Sequence, residues 1–218
     1  KNFEHADAPG EGFSCVDGAA RAAVVLLDYM RIRGTTEQRG LAKGLLRFVL
    51  QLQGADGLFW NFAYRDGTIN RFGKTSKKSY DFWTSRGLWA LGRGAEDFAR
   101  SDPAFARLCK IAARKTMVAL KRRVDKHQGT TKVGDRVFPN ILLLCGTDCW
   151  SEALLGLVAL QRAAPSDDCE ELIREIAGAL TLCRGGTNVC PPFGAFTVWA
   201  GRPWIWHGWE HLGMPKFI

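Results

Sequence analysis

Four acidic residues recur at nearly constant spacing along this 218-residue chain, and that spacing limits its possible folds more than any other feature. Each acid follows a loop rich in glycine or aromatic residues and precedes a run of small residues. The four are Asp17, Asp81, Asp148 and Glu210, separated by 64, 67 and 62 residues. A period of roughly 65 residues has room for two helices, so it predicts a series of αα-hairpins.

The segments between these acids carry amphipathic helices, predicted at 36–53, 103–124 and 166–183. Each has an apolar stripe on one face and charged residues on the other, whereas the helices that begin at the acids are rich in glycine and alanine. We therefore predict an all-α fold of repeated αα-hairpins that forms part of an (α/α) toroid. Small-faced helices line the inside and amphipathic helices the outside, and residues 1–218 form a single domain.

Capping signals set several helix boundaries. Ser14 is a candidate N-cap for the first helix, and Gly34 is a candidate left-handed stop at its end. Asp102 followed by Pro103 predicts an N-cap and first helical residue, with a long helix running to about Lys126. Residues 127–140 are polar and predict a loop.

Charge and hydropathy argue against several classes of partner. The net charge is +8, and much of it comes from a basic run at 110–126. Helical spacing spreads those charges around a segment that also carries apolar residues, and no nucleic-acid motif accompanies them. No stretch approaches 18 consecutive apolar residues. We predict neither a nucleic-acid partner nor a membrane partner; the sequence leaves the oligomeric state open.

The cysteines give no sign of a metal or cofactor. There are seven, an odd number, and no CxxC pair or Cys/His spacing typical of zinc is present. Cys145 and Cys149 are four residues apart and are interpreted as small core residues. We predict reduced thiols, no metal, no cofactor and a cytoplasmic protein.

Residues 57–94 combine an aromatic, amide-rich loop with the start of a helix. Aromatic faces next to short polar groups are what a sugar-binding surface needs, although single aromatics of this kind also pack into cores. In the predicted toroid every inner-helix N-terminus lies at one end, where these loops converge. Candidate substrate-binding residues are Trp60, Asn61, Asp66, Trp83, Arg86, Asp148, Trp150, His207 and Trp209.

The catalytic candidates are carboxylates at this same end. Asp81, which lies between Tyr80 and Phe82, is predicted as the main catalytic or substrate-orienting residue because its aromatic neighbours favour partial desolvation. Asp17 or Glu210 is predicted to stand opposite it. Glycoside hydrolysis needs such a pair, a proton donor and a second carboxylate acting as base or nucleophile.

Several of these segments resemble one family. Residues 15–22 (CVDGAARA), 59–62 (FWNF), 66–67 (DG), 86–92 (RGLWALG) and 151–155 (SEALL) are similar to motifs of the six-hairpin (α/α)-toroid glycosidase superfamily. The likeness is to helical domains of bacterial carbohydrate-active proteins. Two departures stand out: Gly18 occupies the place of the family's second aspartate, and the turn before Arg86 keeps one acid instead of two.

The resemblance implies a glycoside hydrolase with an oligo- or polysaccharide substrate. Two alternatives remain open at this point. One is a non-catalytic toroid that binds a glycan or a protein partner, which the Gly18 departure favours. The other is a polysaccharide lyase acting on a uronate-containing glycan, with Tyr64, Tyr80 or His207 as proton carrier.

Overall fold

A computed structural model describes residues 10–187 together with residues 189, 194, 196, 197, 199 and 200. Six α-helices account for most of this part of the chain: α1 Val16–Arg33, α2 Arg39–Gln51, α3 Phe82–Asp97, α4 Pro103–Lys126, α5 Thr147–Ala163 and α6 Asp167–Thr181. None of the described helices is long and apolar enough to cross a membrane.

The helices form three αα-hairpins, α1–α2, α3–α4 and α5–α6. Helix α3 packs between α1 and α5, and these three form the inner layer. Each outer helix packs on the inner helix of its own hairpin. One buried apolar cluster runs through all six helices. The predicted fold class, an array of αα-hairpins with inner and outer layers, is confirmed.

Small residues allow the inner helices to approach closely, as predicted. A Cβ atom at Gly156 of α5 would lie 2.6 Å from Leu88 Cγ and 2.7 Å from the backbone nitrogen of Trp89 in α3. A Cβ at Gly92 would in turn lie 2.7 Å from the carbonyl oxygen of Gly156. Any side chain at either glycine would push α3 and α5 apart, because these contacts are with backbone and fully packed atoms.

The helix boundaries follow their local signals. Gly34 ends α1 in the left-handed conformation, with φ 63°. The Asp102 side chain accepts a hydrogen bond from the amide of Phe105, with Pro103 as the first residue of α4. Helix α1 begins one residue later than predicted, because Ser14–Cys15 forms strand β1 and the Cys15 sulfur caps the helix by accepting from the amide of Gly18.

Two short antiparallel pairs of strands complete the described part. Strand β1 pairs with β2, Phe62–Ala63, which fastens the aromatic loop to the start of α1. Strands β3 Thr130–Val133 and β4 Arg136–Pro139 form a hairpin, followed by a 3₁₀ helix, Asn140–Leu143. The predicted polar loop at 127–140 is therefore corrected to a hairpin that turns at Gly134, where φ is 61°.

Candidate functional site

The three inner helices run in the same direction. Arg86 and Arg93 of α3 contact Asp17 and Asp28 of α1, respectively, so the two helices advance together. Ser85 of α3 contacts Cys149 near the start of α5, and Leu88 contacts Gly156 further along. The N-terminal ends of α1, α3 and α5 therefore lie at one end of the array. The segments that connect α2 to α3 and α4 to α5 reach the same end.

This geometry places three of the four repeated acids, Asp17, Asp81 and Asp148, at the same end. The fourth, Glu210, lies outside the described residues. So do His207 and Trp209, which were predicted to bind substrate.

Arg86 forms the centre of the candidate site. Its Nη1 lies 3.1 Å from Oδ1 of Asp17 on α1, and its Nε lies 2.8 Å from Oε2 of Glu152 on α5. The guanidinium also lies over the Phe82 ring, 4.6 Å from its centroid. All three charged side chains are mostly buried, with exposed fractions of 12% for Arg86, 22% for Asp17 and 16% for Glu152. One arginine of the middle helix thus joins carboxylates from both neighbouring inner helices.

Glu152 is the carboxyl whose pKa changes most clearly. Burial raises the pKa of Glu152 to about 7, against the opposing effect of Arg86, and the negative charges of Asp148 and Asp17 raise it further. The pKa of Arg86 itself is raised: burial disfavours its charge, but Glu152 and Asp17 outweigh that cost. Arg86 therefore stays charged. Glu152, the more buried of the two acids that contact Arg86, keeps its proton near neutral pH.

Two oxygens of this cluster accept no hydrogen bond within the described part of the chain. They are Oδ1 of Asp17 and Oε2 of Glu152, both buried. Each lies close to Arg86, at 3.1 Å from Nη1 and 2.8 Å from Nε respectively. Buried acceptors of this kind gain free energy when a hydroxyl donor reaches them.

Asp81 and Asp148 each accept a hydrogen bond from a backbone amide at the start of a helix. Asp81 is the N-cap of α3, and its Oδ1 accepts from the amide of Phe82 at 3.0 Å. Oδ1 of Asp148 accepts from the amide of Cys149 at 2.8 Å. The Arg86 cluster contains Asp17, as predicted for a catalytic pair, but pairs it with Glu152 instead of Asp81.

Three of the predicted ligand-binding side chains make hydrogen bonds within the fold. Trp150 is only 2% exposed and donates its indole N–H to the carbonyl of Ile141, so it has no free face for a sugar. Asn61 is 4% exposed; its side chain accepts from the amide of Asp17 and donates to the carbonyl of Thr75. Trp83 is half-buried and donates to the carbonyl of Phe59. Each was predicted from residue type, which does not reveal the direction of the side chain.

Trp60 and Asp66 lie on the loop surface. The half-buried Trp60 ring has two cations over it, the Arg71 guanidinium at 4.9 Å and the Lys78 ammonium at 4.7 Å from its centroid. Asp66 is fully exposed and holds a turn by accepting from the amide and hydroxyl of Thr68, bonds that lower its pKa. Trp60 therefore contacts two neighbouring cations, whereas Asp66 stabilises a turn at the surface.

Glu152 was not among the residues predicted for the site. A signal was available, because Glu152 follows Asp148 by four residues and therefore lies on the same face of the helix, one turn further in. Among the described residues, no group of three or more His, Cys, Asp or Glu side chains could hold a metal ion.

Comparison with known proteins adds little to this geometry. No protein-family model matches the chain, and the curated proteins include no match. Among solved structures, the chain is similar to the glycoside hydrolase family 9 endoglucanase J30 and to a zinc-binding triple mutant of that enzyme. Each similarity has 19% identity and a TM-score of 0.49, covering 82% of this chain. The chain spans 37% of the endoglucanase's length. A TM-score at this level establishes neither a shared fold nor a shared activity.

Proposed function

We propose that this chain is a carbohydrate-active domain that hydrolyses glycosidic bonds at the N-terminal end of its inner helices. The observation that carries the proposal is the Arg86 cluster, where Glu152, with its pKa raised to about 7, stands across one guanidinium from Asp17. Glycoside hydrolysis uses two carboxyl groups in different protonation states, and different environments are what separate them.

Glu152 is the proposed proton donor to the leaving glycosidic oxygen. A general acid works best when its pKa lies near the working pH, and about 7 meets that condition. Asp17 is the proposed second carboxylate, acting as base or nucleophile. Arg86 orients both side chains, and Asp148 supports Glu152 by raising its pKa. Trp60 on the adjacent loop is the proposed stacking platform for a sugar ring.

The test is release of reducing ends from a panel of polysaccharides. Wild type and Glu152→Gln are compared, with Glu96→Gln as the control because Glu96 is a half-buried α3 carboxylate beside Arg93 instead of Arg86. Loss of activity in Glu152→Gln with activity kept in Glu96→Gln supports the proposal. Equal activity in all three proteins refutes it. Products that contain a new carbon–carbon double bond, detected by their absorbance, would show that the chain is a polysaccharide lyase and not a hydrolase.

The second candidate function is glycan binding without turnover. It is favoured by the two ion pairs that already engage both carboxylates with Arg86, and by Gly18 at the place where the resembled family has an aspartate. In that case a glycan raises the thermal stability of wild type, since a ligand that binds only the folded state stabilises it. No product forms from any polysaccharide of the panel.

A further inference from the structure

The loop beside the candidate site is strongly basic. Residues 64–78, here named the rim loop, contain five basic residues and one acidic residue. The five are Arg65, Arg71, Lys74, Lys77 and Lys78. Lys78 is paired with Asp56 at 2.5 Å. Within the described part of the chain, Arg71, Lys74 and Lys77 have no carboxylate partner, and all three are exposed. A positive potential of this kind attracts anionic ligands.

The rim loop is fixed from beneath by buried polar side chains. Asn70 is 2% exposed and Ser76 is fully buried. The Asn70 amide donates to the carbonyl of Glu11 at 2.6 Å and accepts from the amide of Gly73 at 2.8 Å. The Ser76 hydroxyl donates to the carbonyl of Asn70 at 2.5 Å and accepts from the amide of Phe62 at 2.9 Å. The tip of the loop is therefore held in one conformation.

An aromatic ring stands among the cations at that tip. Phe72 is 88% exposed, although the backbone on either side of it is well anchored. Keeping a large apolar ring in water on a rigid loop gives the fold no packing energy. A ligand that covers the ring gains that energy without first having to order the loop. The ring and the cations around it thus form a prepared contact surface.

The rim loop is attached directly to the candidate site. The Asn61 amide donates to the carbonyl of Ser76 in the rim loop, and the Asn61 side chain accepts from the amide of Asp17. A polymer held at the Arg86 cluster would therefore pass over or beside the rim loop. Two negative charges act at the cluster, those of Asp17 and the nearby Asp148, and they disfavour an anionic group at its centre.

We propose that the rim loop binds the anionic groups of a polysaccharide, carboxylates or sulfates, and so makes the domain selective for charged glycans. This deepens the proposed function and rests on it for the choice of ligand class. The basic loop receives the charged groups, and Phe72 covers an apolar sugar face. A polysaccharide fits better than a nucleic acid or a membrane because the same end of the array carries the carboxyl pair suited to glycosidic chemistry.

The experiment measures affinity by calorimetry for three polymers with one backbone: dextran, carboxymethyl-dextran and dextran sulfate. The test variant is K74Q/K77Q, and the matched control is R114Q/K115Q, which removes the same charge from exposed positions on α4. We expect the charged dextrans to bind more tightly than dextran, and K74Q/K77Q to weaken that binding roughly two- to thirtyfold at low salt. R114Q/K115Q keeps wild-type affinity. F72A weakens binding of all three polymers.

The two charged dextrans separate carboxylate from sulfate as the preferred group. Equal losses in the test and control variants would overturn the proposal, since attraction would then follow net charge alone. Tighter rim-loop-dependent binding to duplex DNA or to vesicles containing phosphatidylserine would overturn it as well. Two separate measurements distinguish the two proposals: release of reducing ends reports hydrolysis, and calorimetry of K74Q/K77Q against R114Q/K115Q reports binding at the rim loop, so either can fail without the other.

Discussion

Helix α3 carries two buried arginines, Arg86 and Arg93, and their surroundings differ in an instructive way. Arg93 lies two turns further along, about 10 Å from Arg86 along the axis. It contacts Asp28 on α1 at 2.9 Å and Asp97 on its own helix at 3.0 Å. Arg86 contacts no acid of its own helix and instead joins α1 to α5. The Arg93 cluster connects α3 to α1 alone. The Arg86 cluster connects all three inner helices.

The exposure of the partners also differs. Asp28 and Glu96 keep 34% and 29% of their side-chain surface in contact with solvent, so water screens their charges beside Arg93, whereas Asp97 keeps 22%, the same fraction as Asp17 beside Arg86. Glu152 keeps 16%, and its pKa rises to about 7. The same residue type on the same helix therefore supports a structural network in one place and a proton-carrying carboxyl in the other. The deeper burial of Glu152 makes the difference, because burial is the largest cause of its raised pKa.

The largest expected difference between the clusters is in catalysis. Glu152→Gln should lower the rate of glycoside hydrolysis by ~10²–10⁴-fold, because it removes a general acid while keeping the shape of the side chain. Glu96→Gln beside Arg93 should keep wild-type turnover. Both variants are checked by circular dichroism and by initial rates. Similar rates in the two variants would remove the functional distinction between the clusters.

The next difference is in stability. Arg86→Met should cost about 4 kcal/mol, because it leaves the charge of Asp17 buried without a counterion. Arg93→Met should cost about 1–2 kcal/mol, because Asp28 and Glu96, two of its three acidic partners, keep more contact with water. Urea unfolding of both variants near neutral pH gives the comparison. If Arg93→Met is the more damaging substitution, the Arg93 network holds the helices together and Arg86 does not.

The dependence on pH should come from Glu152. Its folded pKa, about 7, lies above the unfolded value of 4.5, so the folded state binds the extra proton between these values. Stability from this group is complete below pH 4.5 and is lost as the pH rises through 7. Relative to Glu152→Gln, wild type should lose about 3 kcal/mol between pH 4.5 and pH 8. A constant difference between the two proteins across this range would contradict the raised pKa.

The smallest effect is expected at Asp81. Asparagine caps helices about as well as aspartate, so Asp81→Asn should change the free energy of unfolding by less than about 0.5 kcal/mol. Because the Arg86 cluster does not include Asp81, turnover should stay near that of wild type. The sequence alone predicts a loss of at least ~10²-fold for the same substitution. The turnover rate of Asp81→Asn therefore decides whether Asp81 or Glu152 is the main catalytic carboxyl group.

Local signals in the sequence predicted much of the fold. The Gly34 stop, the Asp102–Pro103 start and the small residues of the inner helices act on their own neighbours, so they can be read from the residues nearby. The hairpin at 130–139 was missed because its strands are four residues long and mostly exposed, without an apolar alternation.

The site depended on contacts between distant segments. The recurring acids indicated the end of the array at which Asp17, Asp81 and Asp148 lie, and Arg86 was among the candidate substrate-binding residues predicted there. Arg86 contacts Asp17 and Glu152, which are 69 and 66 residues away in the sequence, because α1, α3 and α5 pack side by side. Trp150 shows the opposite error, since its aromatic ring suggested a binding surface and packs in the core.

The most direct test is a titration of the Glu152 carboxyl itself. Carbon-13 NMR of protein labelled at the glutamate side-chain carboxyls, compared with Glu152→Gln, assigns its resonance and follows it with pH. The account predicts a midpoint near 7, caused by burial beside Arg86 and two further acids. A midpoint at or below the ordinary glutamate value of 4.5 would show that Glu152 is ionised throughout the neutral range, and the claim that this cluster carries a transferable proton would be wrong.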